Sequence, residues 1–242
     1  MIPDYRLAFI TGAAQRLGKA IALDLAAHGY AIGLHHFKSN EQAQKTAVEL
    51  ESLGVPVFIF QADLRVPRQI QQMFEKVAVC PYPLRILINS AAVMPREEFR
   101  SMAVEEWDSI LNLNLRAPWL CAQHAAGLME TEGGVIINIS DAGAGRAWTG
   151  YPAYSVTKAG VETLTRVLAR VLAPRIRVNG VAPGLIIPSQ ELSKDEWQHL
   201  VNRLPLKRSG TPEDVARAIM YLVENNYITG QILAVDGGFQ LT

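Results

Sequence analysis

The chain has 242 residues, 49% of them hydrophobic, and 23 Lys+Arg balance 23 Asp+Glu to a formal net charge of zero. That neutrality excludes a long-range pull towards nucleic acid or an anionic membrane surface. Two cysteines, Cys80 and Cys121, make no disulfide framework, and no apolar run approaches the ~18 residues that cross a bilayer.

The opening MIPDYRLAFITG has no basic stretch ahead of a long apolar one, so the expected setting is cytoplasmic. RLAFIT (6–11) reads as the first strand. Leu17, Ile21 and Leu25 then recur at helical spacing until His28-Gly29, where the glycine suits a helix end. YAIGLHH (30–36), VPVFIFQA (55–62), RILINSA (85–91) and GVIINIS (134–140) follow as strands. Several are almost unbroken apolar runs, as expected of parallel strands covered on both faces. Val161, Leu164, Leu168 and Val171 mark a helix ending at Pro174, before the strand IRVNGVA (176–182). Residues 185–204 break the rhythm with Pro188, Ser189 and the short helical run SKDEWQHLV, an excursion suited to covering a ligand. Thr211-Pro212-Glu213-Asp214 starts a last helix, and QILAVD (231–236) is a seventh strand. The alternation predicts one doubly wound α/β domain over 1–242, a parallel sheet of about seven strands with helices on both faces.

The first strand runs into TGAAQRLG (11–18), where Gly12 would make the tight turn and Gly18 would let the helix lie close to the sheet. The N–H groups at the helix start would then face a pyrophosphate. Arg16 stands where a middle glycine is expected, and the second strand ends LHHFKSN without the acid that would hold a free ribose diol. An acid there would repel a 2′-phosphate, whereas Arg16, Lys38 and Ser39 are suited to bind one. The expected cofactor is NADP(H) rather than NAD(H).

In ISDAGAGRAWTGYPAYSVTK (139–158), Tyr154 and Lys158 stand four apart on one helix face. A neighbouring ammonium favours the phenolate, so Lys158 is expected to lower the tyrosine pKa and fit it for proton transfer. Asp141 lies thirteen residues before Tyr154. Ser140, one step away on a strand end, is expected to face the other way.

With these residues in place, the chain resembles the short-chain dehydrogenase/reductase family from about residue 5 onward. The matching motifs are TGAAQRLG, ADL (62–64), NSAA (89–92), NLN (112–114), YSVTK (154–158), NGVAPG (179–184) and VDGG (235–238). The resemblance implies a Rossmann-type fold and a homotetramer acting on a small molecule. It implies that Asn114 holds a helix kink and a relay water beside Lys158, which also binds the nicotinamide ribose. Asp63 and Leu64 would lie by adenine, and Asn89, Ser90 and Ala91 would follow the fourth strand along the cofactor. Pro183, Gly184 and Ile186 would border the nicotinamide, with Leu17 and His36 completing the cofactor set.

Most members of that family have serine where this chain has Asp141. That exchange, Arg16 and the LHHFKSN strand end resemble the pteridine reductase branch, in which an Asp–Tyr–Lys set serves reduction of pterin C=N bonds. The aromatic residue usual after the fourth strand is absent, since SAAVMP (90–95) offers Met94 instead. Trp148 is the alternative stacking surface, and Met94, Trp148 and Leu185 are the expected substrate contacts. Three readings follow: an NADPH-dependent pterin reductase, a carbonyl reductase acting on 3-oxoacyl thioesters or small ketones, or a non-enzymatic NADP(H) sensor. No metal is expected, because His28, His35, His36, His124 and His199 have no ligand spacing.

Overall fold

Strands with apolar residues on both faces need a helical layer on each side, and the sequence supplies helices between nearly every pair. The computed structural model describes residues 5–146, 148–189 and 192–242. Its strands are β1 (Leu7–Ile10), β2 (Ala31–His36), β3 (Val57–Gln61), β4 (Leu84–Asn89), β5 (Gly134–Ile139), β6 (Ile176–Pro183) and β7 (Ile232–Val235). They form one seven-stranded parallel sheet in the order β3-β2-β1-β4-β5-β6-β7. The winding reverses between β1 and β4, which leaves a crevice at their carboxyl ends, the usual ligand position in such sheets.

The helices are α1 (Arg16–Ala27), α2 (Asn40–Glu51), α3 (Pro67–Ala78), α4 (Val104–Leu111), α5 (Ala117–Leu128), α6 (Pro152–Leu172), α7 (Lys194–Arg203) and α8 (Pro212–Glu224). Successive strand residues point to opposite faces, so one strand feeds two cores. Ile86 and Ile88 of β4 pack with Ile21 and Leu25 of α1 and Val215 and Ile219 of α8. Leu87 of the same strand packs with Ile70 and Phe74 of α3, Cys121 of α5 and Leu168 of α6, and Leu84 joins that core because the register of β4 on β1 slips between Leu84 and Ile86.

Local chemistry sets the boundaries as expected. Gly29 takes the left-handed conformation (φ +82°) just past α1. Thr211 and Asp214 cap each other at the start of α8: the Thr211 hydroxyl accepts the Asp214 N–H at 3.3 Å, and the Asp214 carboxylate accepts the Thr211 N–H at 3.0 Å. The excursion over 185–204 contains α7, whose Ser193 and Glu196 make a second such box. Residues 190 and 191 of that excursion lie outside the described residues. Among the described residues, no helix is long and apolar enough to cross a membrane.

Candidate active site

The turn after β1 is held by a histidine. The Gly12 N–H donates to His35 Nδ1 at 3.1 Å, and His35 Nε2 lies 3.1 Å from the Ala62 carbonyl. Burial lowers the His35 pKa to about 4, so the ring is neutral, Nδ1 accepts and Nε2–H donates. Gly12 is left-handed (φ +68°), and a Cβ at Gly18 would lie 2.2 Å from the Gly12 carbonyl oxygen. Helix α1 therefore starts against the turn in a way only glycine at position 18 permits. Arg16 adopts φ +53°, the conformation a glycine would take without strain. Its guanidinium donates to the Pro188 carbonyl at 3.1 Å, across to the excursion.

These residues fit a phosphorylated dinucleotide. No carboxylate stands at the end of β2, and among the described residues the buried His36 Nδ1 has no hydrogen-bond partner there. Burial lowers the His36 pKa. Lys38 is exposed over the Phe37 ring, and the Ser39 hydroxyl makes no cap for α2. After β3, the Asp63 carboxylate is neutralised by Arg65, at 3.3 Å. The Leu64 side chain is buried in the core beneath α3, which leaves only its backbone to meet a ligand. Leu17 likewise packs partly into the opposite core.

The strand ends at the crevice are stitched together. The Thr11 hydroxyl accepts N–H bonds from Ser90 (2.9 Å) and Ala91 (3.0 Å), which bends the chain leaving β4 towards the Gly12 turn. Asn89 donates to the Asn138 side-chain oxygen at 2.8 Å, and Asn138 donates to the Thr165 hydroxyl of α6 at 2.9 Å. This buried chain ties β4 through β5 to the helix that carries Tyr154. Between α4 and α5 the helix widens to a π turn over Asn112–Arg116, which is the expected kink at Asn114. The Asn114 amide donates to the Val93 carbonyl (2.8 Å) and the Thr157 hydroxyl (3.4 Å) and accepts the Val93 N–H (3.0 Å). These bonds fix Asn114 to the chain after β4 and to the first turns of α6, the helix that carries Lys158.

Tyr154, Lys158 and Asp141 come together, in an arrangement that differs from the expectation. The Tyr154 hydroxyl donates to Asp141 Oδ2 at 2.7 Å, while Asp141 Oδ1 accepts the Gly143 N–H at 2.7 Å. Lys158 Nζ donates to the Ile139 carbonyl at 2.8 Å and lies 5.5 Å from the centre of the Tyr154 ring. The expectation that Lys158 makes the phenol acidic is thus corrected. Burial, then the charge and hydrogen bond of Asp141, hold the Tyr154 pKa well above its ordinary value. Burial also pushes the Asp141 carboxyl up, against the pull of its bonds to Tyr154 and Gly143 and of the Lys158 charge. It lowers Lys158 to about 8, with Asp141 opposing. The proton therefore rests on the phenol, shared with a carboxylate that is itself easily protonated. Ser140 faces away as expected, donating to Glu162 at 3.2 Å.

A cavity of about 720 Å³ opens beside Asp141, lined by Met94, Trp148, Gly184, Leu185 and Ile186 among others. Pro183 is buried at the end of β6 beside it. Sequence reasoning missed several lining residues: Arg96, Arg146, Tyr151, Trp197, Arg203 and Phe239. Arg146 donates to the Phe239 and Thr242 carbonyl oxygens, each at 2.5 Å, with its guanidinium 4.3 Å from the Phe239 ring centre. Trp148 packs on Gly143, where a Cβ would lie 2.2 Å from its ring, and meets Phe239 edge-on at 6.2 Å. Glu97, also missed, accepts the Ala153 N–H at 3.3 Å in the first turn of α6, one residue before Tyr154.

Comparison with known proteins bears on this geometry. The family described as enoyl-(acyl carrier protein) reductase matches residues 12–240. A 3-oxoacyl-[acyl-carrier-protein] reductase, FabG, of Staphylococcus epidermidis is 32% identical over 240 residues, covering 97% of this chain and 98% of that protein. Carbonyl reductase family member 4 of Danio rerio is 36% identical over 237 residues, covering 98% of each. Among solved structures, the FolM alternative dihydrofolate reductase 1 of Brucella canis complexed with NADP superposes with a TM-score of 0.91 at 30% identity, over 99% of this chain and 95% of that one. A blue fluorescent protein from a metagenomic library, in complex with NADPH, gives a TM-score of 0.91 at 33% identity, over 97% of both chains.

Proposed function

The chain belongs to the short-chain dehydrogenase/reductase family and is an NADP(H)-dependent oxidoreductase, and from that premise we propose that it reduces the C=N bond of a reduced-pterin ring. The observation that carries this reading is the 2.7 Å hydrogen bond between Tyr154 and Asp141. Bound NADPH supplies the hydride. The Gly12–Gly18 turn receives the pyrophosphate, and Arg16, His36, Lys38 and Ser39 receive the 2′-phosphate. Asp63 and the Leu64 backbone border adenine, with Leu17 behind the turn. Asn89, Ser90, Ala91, Pro183, Gly184, Ile186 and Lys158 surround the nicotinamide end.

Tyr154 gives its proton to the ring nitrogen beside the reduced carbon. Asp141, hydrogen-bonded to the phenol and open to the cavity, passes a proton to Tyr154 in turn. Burial raises the Asp141 pKa, which suits a carboxyl group to that role nearer neutral pH. Lys158 holds a positive charge against the ring while the phenol is deprotonated, and Asn114 fixes α6 through Thr157. Met94, Leu185 and Trp148 contact the substrate, with the Trp148 face supplying the stacking surface. Residues 185–204 serve as the substrate loop of a single 1–242 domain. A homotetramer is supported by exposed Trp119, Val156 and Val167 on α5 and α6.

A second reading, reduction of 3-oxoacyl thioesters, is favoured by relatives described as 3-oxoacyl reductases and by Met94 in place of an aromatic residue. Asp141 disfavours it, since a carboxylate beside a ketone oxygen repels the developing negative charge. NADPH consumption measured in parallel with 7,8-dihydrobiopterin and with an acetoacetyl thioester separates the two. Pterin turnover that is lost in Tyr154→Phe is expected. Thioester turnover alone selects the second reading.

A further inference from the structure

A second cavity, of about 310 Å³, opens at the amino ends of the strands, the opposite end of the sheet from the nucleotide crevice. A strand's length, roughly 17–20 Å, separates the two. Four arginines from three segments line it: Arg6 just ahead of β1, Arg85 in β4, and Arg175 and Arg177 at the start of β6. Among its described lining residues the one carboxylate is Glu132. The chain as a whole is neutral, so positive charge is concentrated here.

Arg85 is aimed by a bulge. Leu7 of β1 pairs with Leu84 and Ala8 with Ile86, so Arg85 has no counterpart across that ladder, and a bulge re-aims the side chain it displaces. The Arg85 guanidinium donates to Glu132 at 2.9 Å, and among the described residues its buried Nε has no hydrogen-bond partner. Arg177 donates to the Leu222 and Val223 carbonyl oxygens, each at 2.7 Å, in the last turn of α8. Arg175 donates to the Glu130 carbonyl at 2.8 Å. Carbonyl partners hold these two guanidiniums in place without neutralising them.

We propose that this cavity is a binding site for a small phosphoryl anion. A phosphoryl group presents its oxygens tetrahedrally, which suits guanidiniums arriving from β1, β4 and β6 together, whereas one guanidinium fork satisfies a planar carboxylate. Anchored side chains lose little freedom on binding, and that preorganisation favours affinity. A concave wall of one charge sign also concentrates counter-ions. The site stands apart from the nucleotide and substrate cavities, so it does not depend on which substrate Tyr154 serves.

The test is calorimetry on the NADPH-loaded protein, whose own pyrophosphate turn is then filled, with pyrophosphate in one arm and glycerol 3-phosphate in another. One saturable event is expected, weakened by added salt and by roughly threefold to tenfold in each of Arg6→Gln and Arg85→Gln. Arg6 is exposed ahead of β1, so its variant keeps the test decisive should loss of the Arg85–Glu132 pair disturb β4. The better-bound probe tells a free anion from a phosphate ester. Malonate, a dicarboxylate, should bind roughly tenfold more weakly than pyrophosphate. No saturable binding of either phosphoryl probe, binding indifferent to both substitutions, or malonate binding as tight as pyrophosphate overturns the site. Binding weakened instead by Arg203→Gln, in the cavity beside Asp141, overturns it as well.

Discussion

Lys158 offers a test of the site's electrostatics that needs no substrate. Lys158 is 4% exposed, its ammonium donates to the Ile139 carbonyl, and burial lowers its pKa from 10.5 to about 8. The unfolded chain keeps the lysine proton up to its ordinary value, while the folded chain keeps it only up to about 8. A depressed folded value means stability that is present above the unfolded value and lost as pH falls through the folded one. That lowering corresponds to about 3 kcal/mol, most of which should separate pH ~7 from pH ~10. Lys158→Met keeps the side-chain volume and abolishes the titration. Urea unfolding of both proteins without nucleotide, over that pH range, should show the wild type gaining about 2–3 kcal/mol on the variant as pH rises. Parallel stability curves for the two proteins would refute a buried, reluctant ammonium at this position.

Four further outcomes follow from the cofactor turn and the catalytic helix. Arg16→Gly should stabilise the fold by about 1 kcal/mol by relieving a left-handed arginine, while Arg16→Ala with Lys38→Ala should raise the dissociation constant of NADPH roughly tenfold more than that of NADH; equal losses for the two nucleotides would remove the 2′-phosphate assignment. Gly18→Ala puts a methyl group into the Gly12 carbonyl, so it should destabilise by about 1–3 kcal/mol in thermal melts and weaken NADPH binding in the same protein. Glu97→Ala should cost about 1 kcal/mol of stability as a lost helix-start acceptor and lower kcat more than it changes KM, with Glu97→Gln recovering most of both.

Much of this architecture could be read from the residues because single-strand chemistry is local. Unbroken runs such as RILIN and GVIIN admit no exposed face, and both form central strands. The Thr-Pro-Glu-Asp start of α8 and the Gly29 stop of α1 are decided within four residues. Asp141 and Tyr154 could be paired because a strand end and a helix start lie thirteen residues apart. The clamp of Arg146 on Phe239 could not, since it spans 93 residues and nothing local distinguishes that arginine from a solvated one. Nothing local marks His35 either, because its role depends on β2 lying beside the Gly12 turn in space. The phenol's electrostatics escape the sequence for a related reason. Helical spacing brings Lys158 to the right face, but only the fold shows its ammonium bonded to Ile139 and the carboxylate at the hydroxyl.

The most direct measurement compares kcat/KM for 7,8-dihydrobiopterin with that for an acetoacetyl thioester, in the wild type and in Asp141→Ser. If the carboxyl group serves a ring nitrogen through Tyr154, the pterin-to-thioester ratio should fall by about 100-fold or more when serine replaces it. A ratio that stays level or rises would contradict the account.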